Sequence, residues 1–343
     1  MPERKDPPSP SYLADLVRQI LGSTPADRQG GPKAVSSESD DFLSPNRLAQ
    51  GAWAHLARLE QERGEAVFRV EDLRDLPPEE RRLRLAHDPG LHLWAVAERL
   101  LAESNECREM ENEARASRAG LPARNPPFEP MPAAAPDAPS GGTGTATLAP
   151  PQIAPASPAA ALAAEALLVL DRVDPKVYGT SCVEDLYAQC HTALGLARLA
   201  ENELAAAELE LGLAYEHLEI GSGDILSRAQ MLDFEAALRL AQRRFGEALT
   251  AIDRASRSFR TARDRHFEGL AQLRRAEILR AAERRSDAVV TARKGLALVD
   301  PDRASVESQR ARLSLVQDLA ALGRHDEAKE EAARPPAFAG EEI

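Results

Sequence analysis

Aromatic residues are scarce in this chain. Phe, Trp and Tyr make up 4% of it, while apolar residues together make up 43%, most of them Ala and Leu. A β-sandwich builds its faces from aromatic and β-branched side chains, so this composition argues against one and suits closely packed helices. Cysteine is scarcer still. Cys107, Cys182 and Cys190 form no C-x-x-C pair, and an odd, unpatterned set argues against a disulfide framework and fits a reducing cytoplasm. Surplus positive charge is also missing. The formal net charge is −12 and the pI about 5.2, whereas nucleic acid and anionic membranes call for a basic surface. Lysine stands only at Lys5, Lys33, Lys176, Lys294 and Lys329, so the cationic charge is nearly all Arg, as a GC-rich genome would give. No stretch approaches about 18 continuous apolar residues, and MPERKDPPSP has no apolar core. Neither a membrane span nor a signal peptide is expected, and the expected location is cytoplasmic.

The 343 residues allow two or three domains. Residues 1–40 read as a mostly disordered tail, broken by Pro2, Pro7, Pro8, Pro10, Pro25 and Pro32. Within it, residues 11–21 (SYLADLVRQIL) put Leu13, Leu16, Val17, Ile20 and Leu21 on one helical face. Such a helix packs on its own body or docks in a partner's groove. Residues 41–117 read as a small helical region. Ser44 before Pro45 is an N-cap signal, and Leu48, Ala52, Leu56 and Leu59 then recur at helical spacing beside Trp53. A second helix opens at Asp75-Leu-Pro-Pro-Glu-Glu and ends near Asp88-Pro89-Gly90. A third starts near Leu91, and both Trp53 and Trp94 read as core anchors. Residues 118–158 are punctuated by eleven prolines around SGGTGTAT. Nothing there offsets the entropy of ordering, so a linker is expected.

From residue 159 to 335 one environment recurs. NELAAAELELGLAYEHL, RRFGEALTAIDRASRSF, ERRSDAVVTARKGLALV and LGRHDEAKEEAARPP each pass from a polar turn to a small residue and then to further small residues along a helix. The first small residues are Ala207, Ala248, Ala288 and Ala328, each 40 or 41 positions from the next, with Ala166 one step earlier. A second small site reads Ala214, Ala255 and Gly295. Twelve positions before the anchors stand Gly195, Ala236, Ala276 and Val316. Small residues let antiparallel helices approach closely, and bulky apolar ones fill the grooves between successive hairpins. This spacing of small residues, with the turn segments RRFGEAL and LGRHDEA, resembles the tetratricopeptide repeat (TPR) family. The period exceeds the usual 34, and the aromatic residue expected early in the first helix is missing. The stretches from DRVDPKVYG to NELAAAE and from GSGDILSRAQ to RRFGEAL also resemble a group of bacterial TPR-rich proteins. In that group the counterpart of Arg99–Arg118 runs directly into the repeats. The resemblance implies an all-α fold, an α-solenoid of helical hairpins, with residues 336–343 left as a tail.

Candidate chemistry is thin. His55, His87, His92, His191, His217, His266 and His325 form no H-E-x-x-H, and no nucleotide-binding or nucleophile-elbow motif is present. Cys182, Cys190 and His191 lie close in sequence, but two helical turns separate the cysteines, so buried thiols are the simpler reading. No metal, no cofactor and no catalytic residue is expected. The expected function is a protein–protein scaffold or regulatory adaptor. The alternative is a peptide- or ligand-sensing regulator whose solenoid changes shape, and an enzyme of unrecognised type ranks third. The family's concave-face positions, with Gly195, Ala236, Ala276 and Val316 taken as position eight, fall on Gln189, Thr192, Gln230, Asp233, Arg274, Glu277, Arg280, Arg310 and Gln317. Arg274, Arg280 and Arg310 gather on one side, and arginine forks select carboxylates. An acidic peptide is therefore an expected partner. The opposing reading pairs these arginines with neighbouring carboxylates only.

Overall fold

The structure, a computed structural model, describes residues 45–118, 157–300 and 305–333. Every regular element among them is helical. The expectations for the tail at 1–40 with its helix at 11–21, for Ser44, for the interior of the linker and for residues 336–343 lie outside the described residues.

By compactness the chain divides after Asp72. The first unit is described only through α1 (Pro45–Arg74), which is braced along its surface by Arg58–Glu62 at 3.4 Å and Arg69–Glu65 at 2.8 Å. Trp53 is 52% exposed and Leu56 is exposed too. The reading of Trp53 as a core anchor is therefore corrected: its side chain stands largely open to solvent. Trp94, in the second unit, is partly buried.

The second unit contains α2 (Pro78–His87), a 3-10 turn at Pro89–Leu91, α3 (Trp94–Arg118), α4 (Pro158–Leu170), α5 (Pro175–Tyr178), α6 (Thr180–Ala200), α7 (Leu204–Ile220), α8 (Ile225–Ala241), α9 (Phe245–Thr261), α10 (Arg265–Ala281), α11 (Arg285–Leu296), α12 (Ser305–Ala321) and α13 (His325–Ala333). Helices pack in adjacent pairs: α3 with α4, α6 with α7, α8 with α9, α10 with α11, α12 with α13. Each second helix also rests on the first helix of the next pair. The pairing of α3 with α4 is long-range, because residues 119–156 fall between them. Ser104 Oγ donates to the Ala159 carbonyl at 2.7 Å, and Arg81 binds buried Glu165 of α4 at 2.8 Å.

Local signals explain the boundaries. Ser157, Asp174, Asp224 and Asp264 each accept a backbone N–H at the start of α4, α5, α8 and α10. The turns inside the last four pairs are three residues long, and the middle residue adopts a positive φ: Asn202 at 64°, Arg243 at 61°, Glu283 at 62°, Gly323 at 75°. The next N–H reaches back to close the helix end, as Arg244 does to the Arg239 carbonyl at 2.8 Å. In α8 to α11 the connections are all this short, so the length beyond 34 residues resides in the helices. Ala207, Ala248 and Ala288 are fully buried and stand fourth in their helices, and Ala328 is 7% exposed.

Among the described residues, three apolar clusters tile the last four pairs. One joins α6, α7 and α8 around Phe234 and Leu211; the next joins α8, α9 and α10 around Ile252 and Phe259; the last joins α10 to α13 around Val289 and Leu315. Helices α8 and α10 each face two clusters, so the pairs share walls rather than forming separate cores. Where backbones approach most closely the residue is glycine. A Cβ at Gly195 would lie 2.4 Å from the Phe234 ring, and one at Gly269 would lie 2.7 Å from the Val299 nitrogen.

Candidate partner-binding face

The first helices of successive pairs touch, α6 to α8, α8 to α10 and α10 to α12. One polar contact marks each step. Gln189 Nε2 donates to Ser227 Oγ at 2.9 Å, Arg274 Nε donates to Asp233 Oδ1 at 2.7 Å, and Arg280 Nε donates to Asp318 Oδ2 at 2.8 Å. Four of the sequence-selected residues thus lie on these seams: Gln189, Asp233, Arg274 and Arg280. Glu277 sits 3.9 Å from Arg274. Gln230 and Gln317 are exposed and Arg310 is partly exposed. Thr192 is different. It is 8% exposed and its hydroxyl donates to the Ala188 carbonyl of its own helix at 2.8 Å. It belongs to the α6 interior, not to a binding surface.

Electrostatics at the seam are set by these pairings. The Asp233 carboxylate, ahead of all other influences, holds the Arg274 guanidinium firmly protonated by raising its pKa. Asp318 is only 3% exposed, so Arg280 compensates a buried charge. A further cation comes from an element that the sequence had not connected to this face. Arg108 of α3 lies in the electrostatic field of both Asp233 and Arg274, and burial pulls its guanidinium below the usual arginine range. Nothing in the local sequence signals this, because it depends on α3 returning to the repeats across residues 119–156.

A second polar cluster lies between α6 and α7. Tyr187 stacks on His217 with ring centroids 4.7 Å apart, and His217 stacks on His191 at 5.3 Å. His191 Nδ1 is 2.7 Å from Glu210, and His217 Nδ1 is 2.6 Å from Glu184. The Tyr187 hydroxyl donates to Asp171 at 2.9 Å. Both His–Glu contacts cross between the two helices, in opposite directions, so the cluster stitches the pair together. Among the described residues no three His, Cys, Asp or Glu side chains gather as a metal site. Cys190 is fully buried, and burial pushes its thiol well above the ordinary range, away from the thiolate that nucleophilic chemistry uses. The depression around Asp264, His266 and Asp300 is open rather than enclosed. No helix among the described residues is long and apolar enough to cross a membrane.

No protein-family model matches the chain, and no curated protein matches it in sequence.

Proposed function

We propose that the paired helices form a TPR-like solenoid and that the chain is an adaptor or regulatory subunit. Its first helices offer a row of polar side chains to a partner's acidic peptide or C-terminal carboxylate. The observation that carries this reading is the way two arginines are held. Arg274 and Arg280 are each anchored through Nε to an aspartate of the neighbouring helix. An anchored guanidinium has lost its rotamer freedom before a ligand arrives, and the terminal amino groups of Arg280 remain able to donate. The cost of ordering a long side chain on binding is then reduced.

Charge reversal is a poor test, since it would strand the buried Asp318. Lysine keeps the charge and removes the fork. A peptide library displayed with free and with amidated C-termini is panned against the full chain, and enriched peptides are titrated against a variant carrying Arg274→Lys, Arg280→Lys and Arg310→Lys. Enrichment of acidic or free-carboxylate peptides, with affinity about tenfold lower in the folded variant, supports the row. Equal affinity for both proteins removes it as the binding site.

A further inference from the structure

Helix α7 carries an apolar face that no described residue covers. Its inward residues Ala207, Leu211, Ala214 and Leu218 fill the cluster with α6 and α8. On the other side, Leu209 is 72% exposed, Leu213 38% and Ile220 58%. With exposed Ala205, Gly212 and Glu216 they form one stripe at helical spacing, four turns long. The repeat itself shows that the lattice does not require this. Forty-one residues on, the counterparts of Leu209, Leu213, Glu216 and Ile220 are Thr250, Arg254, Arg257 and Thr261, all exposed on α9. Gly212 has no internal purpose either, since a Cβ there would meet nothing within 4 Å. Glycine in an exposed helix interior destabilises the helix relative to alanine. In the middle of an apolar stripe, it lets a second helix approach closely.

The charge around the stripe says which helix fits. Helix α7 contains no lysine or arginine. Glu208 is bound to Arg239 and Glu210 to His191, while Glu216 lies within the stripe and Glu219 at its edge, both exposed. A second copy of α7 would bring glutamate to glutamate. We propose that the outer face of α7 docks an amphipathic helix from a partner protein, apolar at about every third or fourth position and flanked by lysine or arginine that meets Glu216 and Glu219. This surface is independent of the arginine row, and its test does not depend on it.

The probes are two fluorescein-labelled synthetic helices of about five turns, identical in their leucine stripe, one flanked by lysine and one by glutamate. Anisotropy is measured with the full chain, with Leu209→Glu/Leu213→Glu, with Glu216→Lys/Glu219→Lys and with the triple lysine variant of the arginine row, all checked for folding by circular dichroism. The lysine-flanked helix is expected to bind the parent and the triple variant alike. It should bind the leucine variant at least about tenfold more weakly, and the charge-swapped variant should come to prefer the glutamate-flanked helix. Equal binding to parent and leucine variant, absence of binding by both probes, or a parent that sediments as a dimer and becomes monomeric on Leu209→Glu/Leu213→Glu would each overturn the proposal.

Discussion

The pair α6–α7 and the pair α8–α9 share a backbone plan and differ in almost everything placed on it. Both turn through a three-residue link with a left-handed middle residue, and both seat a buried alanine fourth in the second helix. Both are apolar inside, but the outer face of α9 is charged, whereas α6–α7 adds a half-buried Tyr–His–His stack and turns leucines outward. The turn chemistry differs as well. In the later pairs an arginine just before the second helix grips an acid three residues on: Arg244–Glu247, Arg284–Asp287 and Arg324–Glu327, each at 2.6 Å. The α6–α7 pair has Glu203 and Ala206 in those places. A small set of small residues therefore fixes the lattice. Departures from the repeat elsewhere are free to carry function, which is why α7 and not α9 offers a docking face.

The largest expected effect comes from the wall that the two pairs share. Phe234 is fully buried and its ring covers Gly195. Phe234→Ala should cost about 3–5 kcal/mol and should shift a single denaturation transition followed by circular dichroism. If the transition splits and part of the signal melts at the parental midpoint, the pairs are independent and the comparison fails. Next come the anchors. Ala207→Leu and Ala248→Leu should each cost on the order of 1–3 kcal/mol by overpacking. Similar losses would show that both pairs obey one lattice; a parental melting point for either would refute the register. The third effect has the opposite sign. Arg243 and Glu283 hold a left-handed conformation that glycine adopts without strain, so Arg243→Gly and Glu283→Gly should each raise stability by roughly 0.5–1 kcal/mol in chemical denaturation. Asn202→Gly should gain less, because asparagine tolerates that region better.

The all-helical class, the helix boundary around Asp88, and the buried anchors were legible because each rests on local or strictly periodic signals: turn residues, and small residues 40 or 41 apart. The left-handed turn positions escaped notice. Glycine normally marks them, and here only Gly323 does. The recurring Arg-x-x-acid just before the anchors was the signal available. Trp53 was misread because helical spacing gives a stripe but not what covers it. At the candidate face the pairing of the arginines with carboxylates was one of the two readings the sequence offered, but the particular partners were not legible. The pairing of Arg280 with buried Asp318 and the approach of Arg108 depend on contacts between elements 38 residues or more apart in sequence. The apolar side of α7 was in plain view in LAAAELELGLAYEHLEI, but which leucines are turned outward emerges only once α6 and α8 take their places.

The smallest effect concerns the brace at the last turn. Glu327 accepts from Arg324 at 2.6 Å and from Arg293 of α11 at 2.8 Å, and chiefly Arg324, then Arg293, hold its carboxyl down at about 2. A carboxyl whose pKa is lower in the folded chain than in the unfolded one stabilises the fold above the unfolded value, near 4.5. That contribution disappears as the pH falls through this value toward 2. The group is exposed, so salt screens the attraction. The melting-temperature gap between the parent and Glu327→Gln should therefore be small and constant from neutral pH down to about pH 5. It should narrow between there and pH 2, and narrow at neutral pH when salt is raised. A gap that persists undiminished at pH 2 would mean that the difference between the two side chains does not come from the carboxylate's charge, and that the ionic brace absent from the α6–α7 pair contributes nothing to the last.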